Sequence, residues 1–276
     1  MQEKEFEYLK PLHKELKKTL KLFSSIAKKA HVDYFLAYGT LLGAARHKDI
    51  IPWDDDIDIA MKRSDYEKLI AYFSNNPIKD AELSCYDIDG SLSLYAKFIK
   101  KNTDRSISKY YTHPKGICID IFPLDGALAS TNIFQKINEI RIRTLKRAVS
   151  SKIKLKHKNM SDSFLKKLIR VLFVLPFLLV NNSKLIHKAI ILSKRYDGAN
   201  GQDLVFYGTT YPMKREHNDK HFWDKTVSLE LGDDVYPAPA GYKKILTTCY
   251  GSDYNKIPSR NVLHIHDNVN QIGWAK

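Results

Sequence analysis

Residues 51–60 read IPWDDDIDIA. Four aspartates, Asp54, Asp55, Asp56 and Asp58, fall within five positions of a chain whose formal net charge is +14. Apolar residues alternate with the acids from Ile57 onward, which is the period-two pattern of a half-buried strand. Side chains alternate faces along a strand, so Asp54, Asp56 and Asp58 share one face while Ile57 and Ile59 turn to a core. Alternate positions lie roughly 6.5–7 Å apart, so the carboxylates can converge on one point or on two adjacent ones. Left alone, such like charge raises its own pKa values and costs stability. A hard divalent cation, Mg²⁺ or Mn²⁺, removes the repulsion, and Mg²⁺ commonly takes one or two carboxylates together with substrate phosphate oxygens. The cluster therefore predicts a metal, and the metal predicts a phosphate-bearing substrate. A solvated acidic turn neutralised by Lys62 and Arg63 is the bland alternative, and the core residues beside the acids argue against it. An EF-hand loop is excluded, because its glycine and distal glutamate are missing at the required offsets.

Working outward, YFLAYGT (34–40) predicts a strand ending in Gly39-Thr40, and LLGAARH (41–47) predicts a short helix. A strand that opens into a helix presents backbone N–H groups and a positive dipole end, an anion site, and Gly39 lets a phosphate come close. Arg46, His47 and Lys48 add cationic groups. Downstream, GICIDIFPL (116–124) predicts a strand with Asp120 at its centre. An unpaired acid is costly there, so Asp120 reads as a metal ligand or a general base. Asp125, after Pro123, reads as a turn residue. SLYAKFIK (93–100) predicts another strand, and SDYEKLIAYF (64–73) a helix capped by Ser64 with Glu67 at the capping-box position. The first 23 residues form an amphipathic helix with Leu9, Leu12, Leu16, Leu20 and Phe23 on one face, too charged for a signal peptide.

The 276 residues are 43% hydrophobic and 28% charged, a globular composition with enough apolar content for a sizeable core. Three distant cysteines, Cys85, Cys118 and Cys249, have no metal spacing and point to a reducing compartment. Between Lys136 and Arg170, twelve Lys and Arg stand against Glu139 and Asp162, a net of +10. Such a block suits an anionic partner or forms a solvated helical face. It runs into LIRVLFVLPFLLV (168–180), shorter than the about 20 residues a spanning helix needs and broken by Pro176. A buried helix and a membrane-interfacial segment both fit that run. VYPAPAGYKKILTTCYG (235–251) predicts a Pro-rich loop and a short helix, followed by a tail with His264 and His266.

Together YGTLLGAARHKDIIPWDDDIDIAM, YAKFIKKNT, GICIDIFPLDG and YPAPAGYKKILTTCYG resemble the LicD family of phosphotransferases, with a core similar to that of fukutin-related protein. The resemblance covers residues 32–125 and 235–267. It implies an α/β (α+β) nucleotidyltransferase-like fold, a mixed β-sheet flanked by helices, here with a helical basic and apolar insertion. The expected division is a catalytic core over 1–130, the basic and apolar helical segment over 131–200, and a part completing the site over 201–276. It implies transfer of a substituted phosphate, phosphocholine or a polyol phosphate, from a CDP-linked donor to a sugar hydroxyl of a cell-surface glycan or its lipid-linked precursor, with release of CMP. Residue by residue, Asp56 and Asp58 match the metal pair, Asp54 the first acid of that motif and Asp120 the distal carboxylate. Gly39 and Thr40 match the donor-phosphate loop and Lys97 the lysine of the following strand. His264 and His266 fall where the family carries adjacent histidines, here with Ile265 between them. The expected metal ligands are Asp56, Asp58 and Asp120, with Arg46 among the substrate contacts. The expected place is cytoplasmic, peripheral on the inner face of the cell membrane, against an anionic surface and with no nucleic acid as partner. Two alternatives remain: nucleotidyl transfer with pyrophosphate release, and a basic nucleic-acid or membrane-binding module whose DDDID would repel a phosphate backbone.

Overall fold

The computed structural model describes residues 3–101, 117–156, 164–198, 201–209 and 211–257. Helix α1 (Lys10–Lys29) follows a 3-10 turn at Glu3–Leu9 and buries Leu12, Leu16, Leu20 and Phe23 as the periodicity predicts. Then come β1 (Phe35–Leu36), α2 (Tyr38–His47), β2 (Asp58–Lys62), α3 (Arg63–Asn75), β3 (Ala81–Ser84), the single-turn α4 (Tyr86–Asp89), β4 (Ala96–Lys100) and β5 (Ile117–Ala127). Three helices follow, α5 (Ile133–Lys156), α6 (Phe164–Val174) and α7 (Asn182–Ser193), the last capped by the Asn181 side chain on the Ser183 N–H. The chain ends its described course with β6 (Asp203–Val205), β7 (Asn218–Asp219), the hairpin β8 (Thr226–Leu231) and β9 (Asp234–Pro239), and α8 (Tyr242–Tyr250).

The fold is a mixed sheet flanked by helices. Seven strands form it, in the order β1-β2-β5-β4-β3, with β6 on the far end of β5 and β7 on β6. β5 is central: it runs parallel to β2 and antiparallel to β4. Of its eleven residues, Asp120 is the one not fully buried. α1 lies across β4 and β5 over the main core. A second core joins Ile142, Leu145 and Val149 of α5 to Leu185, Ile186 and Ala189 of α7, with Val205 and Tyr207 beside them.

Several local expectations change. The strand read over 34–40 shrinks to Phe35–Leu36, because α2 begins at Tyr38 and takes Gly39 and Thr40 into its first turn. β2 starts only at Asp58; the acids before it have no ladder partner, yet burial still alternates through them, with Trp53, Asp55, Ile57 and Ile59 inward. Ser64 is not a cap: α3 starts at Arg63 and no side chain caps it. The Pro-rich stretch forms β9, where Pro237 and Pro239, two apart, place their missing donors on the same edge away from β8. Asp125 is no turn residue. It lies inside β5, buried, with Arg63 donating to both its oxygens from Nε at 2.6 Å and Nη2 at 2.9 Å. The apolar run 168–180 is not a buried helix; its side chains stand in solvent apart from the buried Val174 and the half-buried Arg170, Phe177 and Val180.

Candidate active site

The register of three strands builds the floor of the site. Asp58 of β2, Asp120 of β5 and Lys97 of β4 are direct partners across adjacent strands. Cross-strand partners share a face, so the three side chains stand in one row. Lys97 Nζ donates to Asp120 Oδ1 at 2.5 Å, and the ammonium also lies 5.1 Å from the Tyr95 ring centroid. Burial alone would lower the Lys97 pKa, but Asp120, with Cys118 and Tyr95, outweighs it and holds it above its ordinary value. At Asp58 the balance runs the other way, and the Lys97 charge is only a minor counterweight. Burial first, then Asp56, Asp120 and Asp54, raise its carboxyl well above the ordinary range.

Residues 54–56 complete the acidic wall. The Asp54 N–H donates to Ile51 O at 2.9 Å, and His13 Nε2 sits 2.7 Å from Asp54 O, so a tight turn presents this segment. Carboxylate oxygens of Asp54, Asp55 and Asp56 lie within 4.8 Å of one another. Asp54 and Asp56 hydrogen-bond each other, and burial followed by the Asp56 and Asp55 charges raises Asp54 well above the ordinary range. Lys62 and Arg63 do not neutralise the cluster: Lys62 reaches Asp224 and Arg63 reaches Asp125.

α2 holds this wall in place. A Cβ on Gly39 would lie 2.6 Å from Asp54 Oδ2, so only glycine lets the carboxylate come against the helix start. A helix N-terminus favours acidic oxygen, and the group met here is the Asp54 carboxyl. Thr40, buried, accepts the Asp58 N–H with Oγ1 at 2.8 Å and pins β2 to α2. Tyr38 has φ +43, a left-handed backbone that costs a non-glycine residue energy. Its hydroxyl donates to Glu216 Oε2 at 2.7 Å, and its ring meets Phe122 edge-on at 5.1 Å.

A cleft of about 740 Å³ opens over these groups. Asp54, Asp56, Asp58, Asp120, Gly39 and Arg46 line it together. Arg46 donates to Tyr254 O at 3.0 Å and Lys256 O at 3.2 Å, which holds the segment after α8 along the rim. Thr40 and Lys97 act from behind, through Asp58 and Asp120. His264 and His266 lie outside the described residues. The reading of the sequence did not place the aromatic part of the cleft: Tyr95, Phe122 and Phe206 pack with centroids 4.7–6.1 Å apart, and Tyr211 and Tyr250 line it with them. Burial raises the Tyr250 hydroxyl, and Cys249, Asp58, Tyr211 and Asp54 add to it. Tyr95 stands two residues before Lys97 and Phe122 two after Asp120, so strand alternation carried their signal.

Chemically, this is a set of hard oxygen donors packed against each other, with aromatic rings lining the same cleft. The donor set fits Mg²⁺ or Mn²⁺.

The family described as LicD/FKTN/FKRP, nucleotidyltransferase domain, matches residues 31–174. The lipopolysaccharide cholinephosphotransferase LicD of Haemophilus influenzae is 28% identical over 247 residues, 87% of this chain and 88% of that protein. The human ribitol 5-phosphate transferase FKRP is 46% identical over 50 residues, 18% of this chain and 10% of FKRP. An uncharacterised protein of Rickettsia typhi is 31% identical over 86 residues, 30% of this chain and 28% of its own.

Proposed function

The chain belongs to the LicD/FKTN/FKRP nucleotidyltransferase-domain family and is a phosphotransferase by that membership; we propose that it moves phosphocholine from a CDP-linked donor to a sugar hydroxyl of a cell-surface glycan or its lipid-linked precursor. The observation that carries the reading is the juxtaposition, in one cleft, of a carboxylate wall and an aromatic wall. The carboxylates suit the diphosphate through a cation, and ring faces suit a quaternary ammonium. A polyol phosphate is the other candidate cargo, supported by the FKRP match. Work at the inner face of the cell membrane fits a lipid-linked acceptor.

Asp54, Asp56 and Asp58 would hold Mg²⁺ or Mn²⁺, which supplies charge neutralisation for the donor diphosphate. Arg46, on the same cleft, has Nη1 on two carbonyls and Nε on His47, and offers its Nη2 edge to phosphate oxygens. The acceptor hydroxyl attacks the phosphorus distal to cytidine, the bond to the CMP oxygen breaks in line, and CMP leaves with the electron pair. The hydroxyl proton passes to Asp120, whose carboxylate Lys97 orients by its hydrogen bond. Thr40 keeps Asp58 in register.

The test is a donor panel of CDP-choline, CDP-ribitol and CDP-glycerol with Mg²⁺ and a lipopolysaccharide or teichoic acid glycan, scored by CMP. CMP release from CDP-choline, abolished in Asp56→Ala, is the expected result. Release from CDP-ribitol alone would move the cargo to the polyol. Pyrophosphate release from CTP would overturn the reading for nucleotidyl transfer.

A further inference from the structure

Helix α6 has the sequence FLKKLIRVLFV. At 3.6 residues per turn, Leu165, Leu168, Ile169, Leu172 and Phe173 gather on one side, and Lys166, Lys167, Arg170 and Val174 on the other. In a globular protein the apolar side of such a helix turns inward. Here the reverse holds. Val174, on the cationic side, is fully buried, while Leu165 is 63% exposed and Ile169 and Leu172 each 57%. The exposed apolar run continues past the helix through Leu175, Leu178 and Leu179. α6 docks on α5, and Lys152 of α5 clamps the corner by donating to Phe177 O at 3.1 Å and Val180 O at 2.5 Å. The apolar side is thus held outward by a structural tie.

We propose that the outward face of α6 and the turn after it docks on an anionic lipid bilayer, lying in the plane of its surface. Charge complementarity selects this occupant: the face is bordered by Lys166 and Lys167 and follows Lys154 and Lys156 at the end of α5, inside the +10 block. An amphipathic helix with cationic flanks sits at the boundary of headgroups and acyl chains. Spanning is not its mode. No single helix among the described residues is long and apolar enough to cross; α6 and α7 reach that test only as a pair bent by 78°. The apolar side of α7 is spent on α5, with Leu185, Ile186 and Ala189 buried in the second core. The inference stands on this surface alone, whatever reaction the cleft runs.

Flotation of the full chain with phosphatidylglycerol–phosphatidylcholine vesicles, against phosphatidylcholine alone, tests it. Binding to the anionic vesicles, weakened by salt, is expected. One variant carries Leu168→Ser, Ile169→Ser and Leu172→Ser; another carries Lys154→Glu, Lys156→Glu, Lys166→Glu and Lys167→Glu, leaving the Lys152 clamp intact. Each should lower the partition coefficient about tenfold or more, with melting temperature unchanged because these side chains face solvent. Flotation equal to the parent in either variant, or equal on neutral and anionic vesicles, would overturn the proposal. So would a parent that ignores vesicles and sediments as a dimer which the serine variant dissolves, since the face would then belong to a second copy.

Discussion

Gly39 is where the site leaves no room for a side chain beside its acids. The clash its Cβ would make is with the end of the Asp54 side chain, which can swing away. Gly39→Ala is therefore expected to cost catalysis and leave stability nearly intact: kcat down about 10²-fold, because misplacement by an ångström is that costly. CMP release alongside a thermal melt separates the two effects. Asp54 and Asp58 carry a further prediction. Their carboxyls titrate well above the ordinary range in the folded protein, through burial and then the charge of Asp56, joined by Asp55 at Asp54 and by Asp120 and Asp54 at Asp58. The folded chain then binds more protons than the unfolded one, so the stability they contribute is present at low pH and lost as pH rises through the folded values. Metal-free protein should melt lower at about pH 8 than at about pH 5, and Mn²⁺ should raise Tm more at the higher pH, where protons compete less. Asp54→Asn with Asp58→Asn should reduce both dependences. A Tm indifferent to Mn²⁺ at either pH would count against the metal assignment.

Among the elements, β5 holds most of what the sequence made legible and some of what it hid. Asp120 in an apolar run could be read directly, since a charged residue between isoleucines has few innocent explanations. Asp125 could not, because its partner, Arg63, is 62 positions away and belongs to a helix start. Arg63→Ala should destabilise by about 3–5 kcal/mol, the cost of leaving a buried carboxylate unpaired, and Arg63→Met with Asp125→Leu should recover most of it in urea melts. Asp55 escaped notice because alternation assigns it to the core side, where it is buried and still reaches its neighbours. Tyr95 and Phe122 were within reach of the same alternation argument. Phe206, Tyr211 and Tyr250 were not, since only tertiary folding brings loop and helix residues to the cleft. Likewise α6 could be recognised as amphipathic from its spacing, but which side faces out depends on the Lys152 clamp.

At the scale of the molecule, the helical layer must be fastened to the sheet, and His217 does part of this. Its ring lies 2.7 Å from Glu139 of α5 through Nε2 and 2.7 Å from Asp203 of β6 through Nδ1. Burial lowers its pKa, but those two hydrogen bonds outweigh it and the net shift is upward. The stability from this tie is therefore complete below the ordinary histidine pKa and lost as pH climbs through the raised value. His217→Phe should lower Tm more at about pH 6 than at about pH 9, and a constant deficit would refute the tie. The position of β5 between β2 and β4 has a consequence in time as well. Asp58 and Asp120 become neighbours only when β2 and β5 pair in register, so their repulsion is absent while the chain is still searching. In stopped-flow experiments, Mn²⁺ should then slow the departure from the native state and leave the refolding rate untouched.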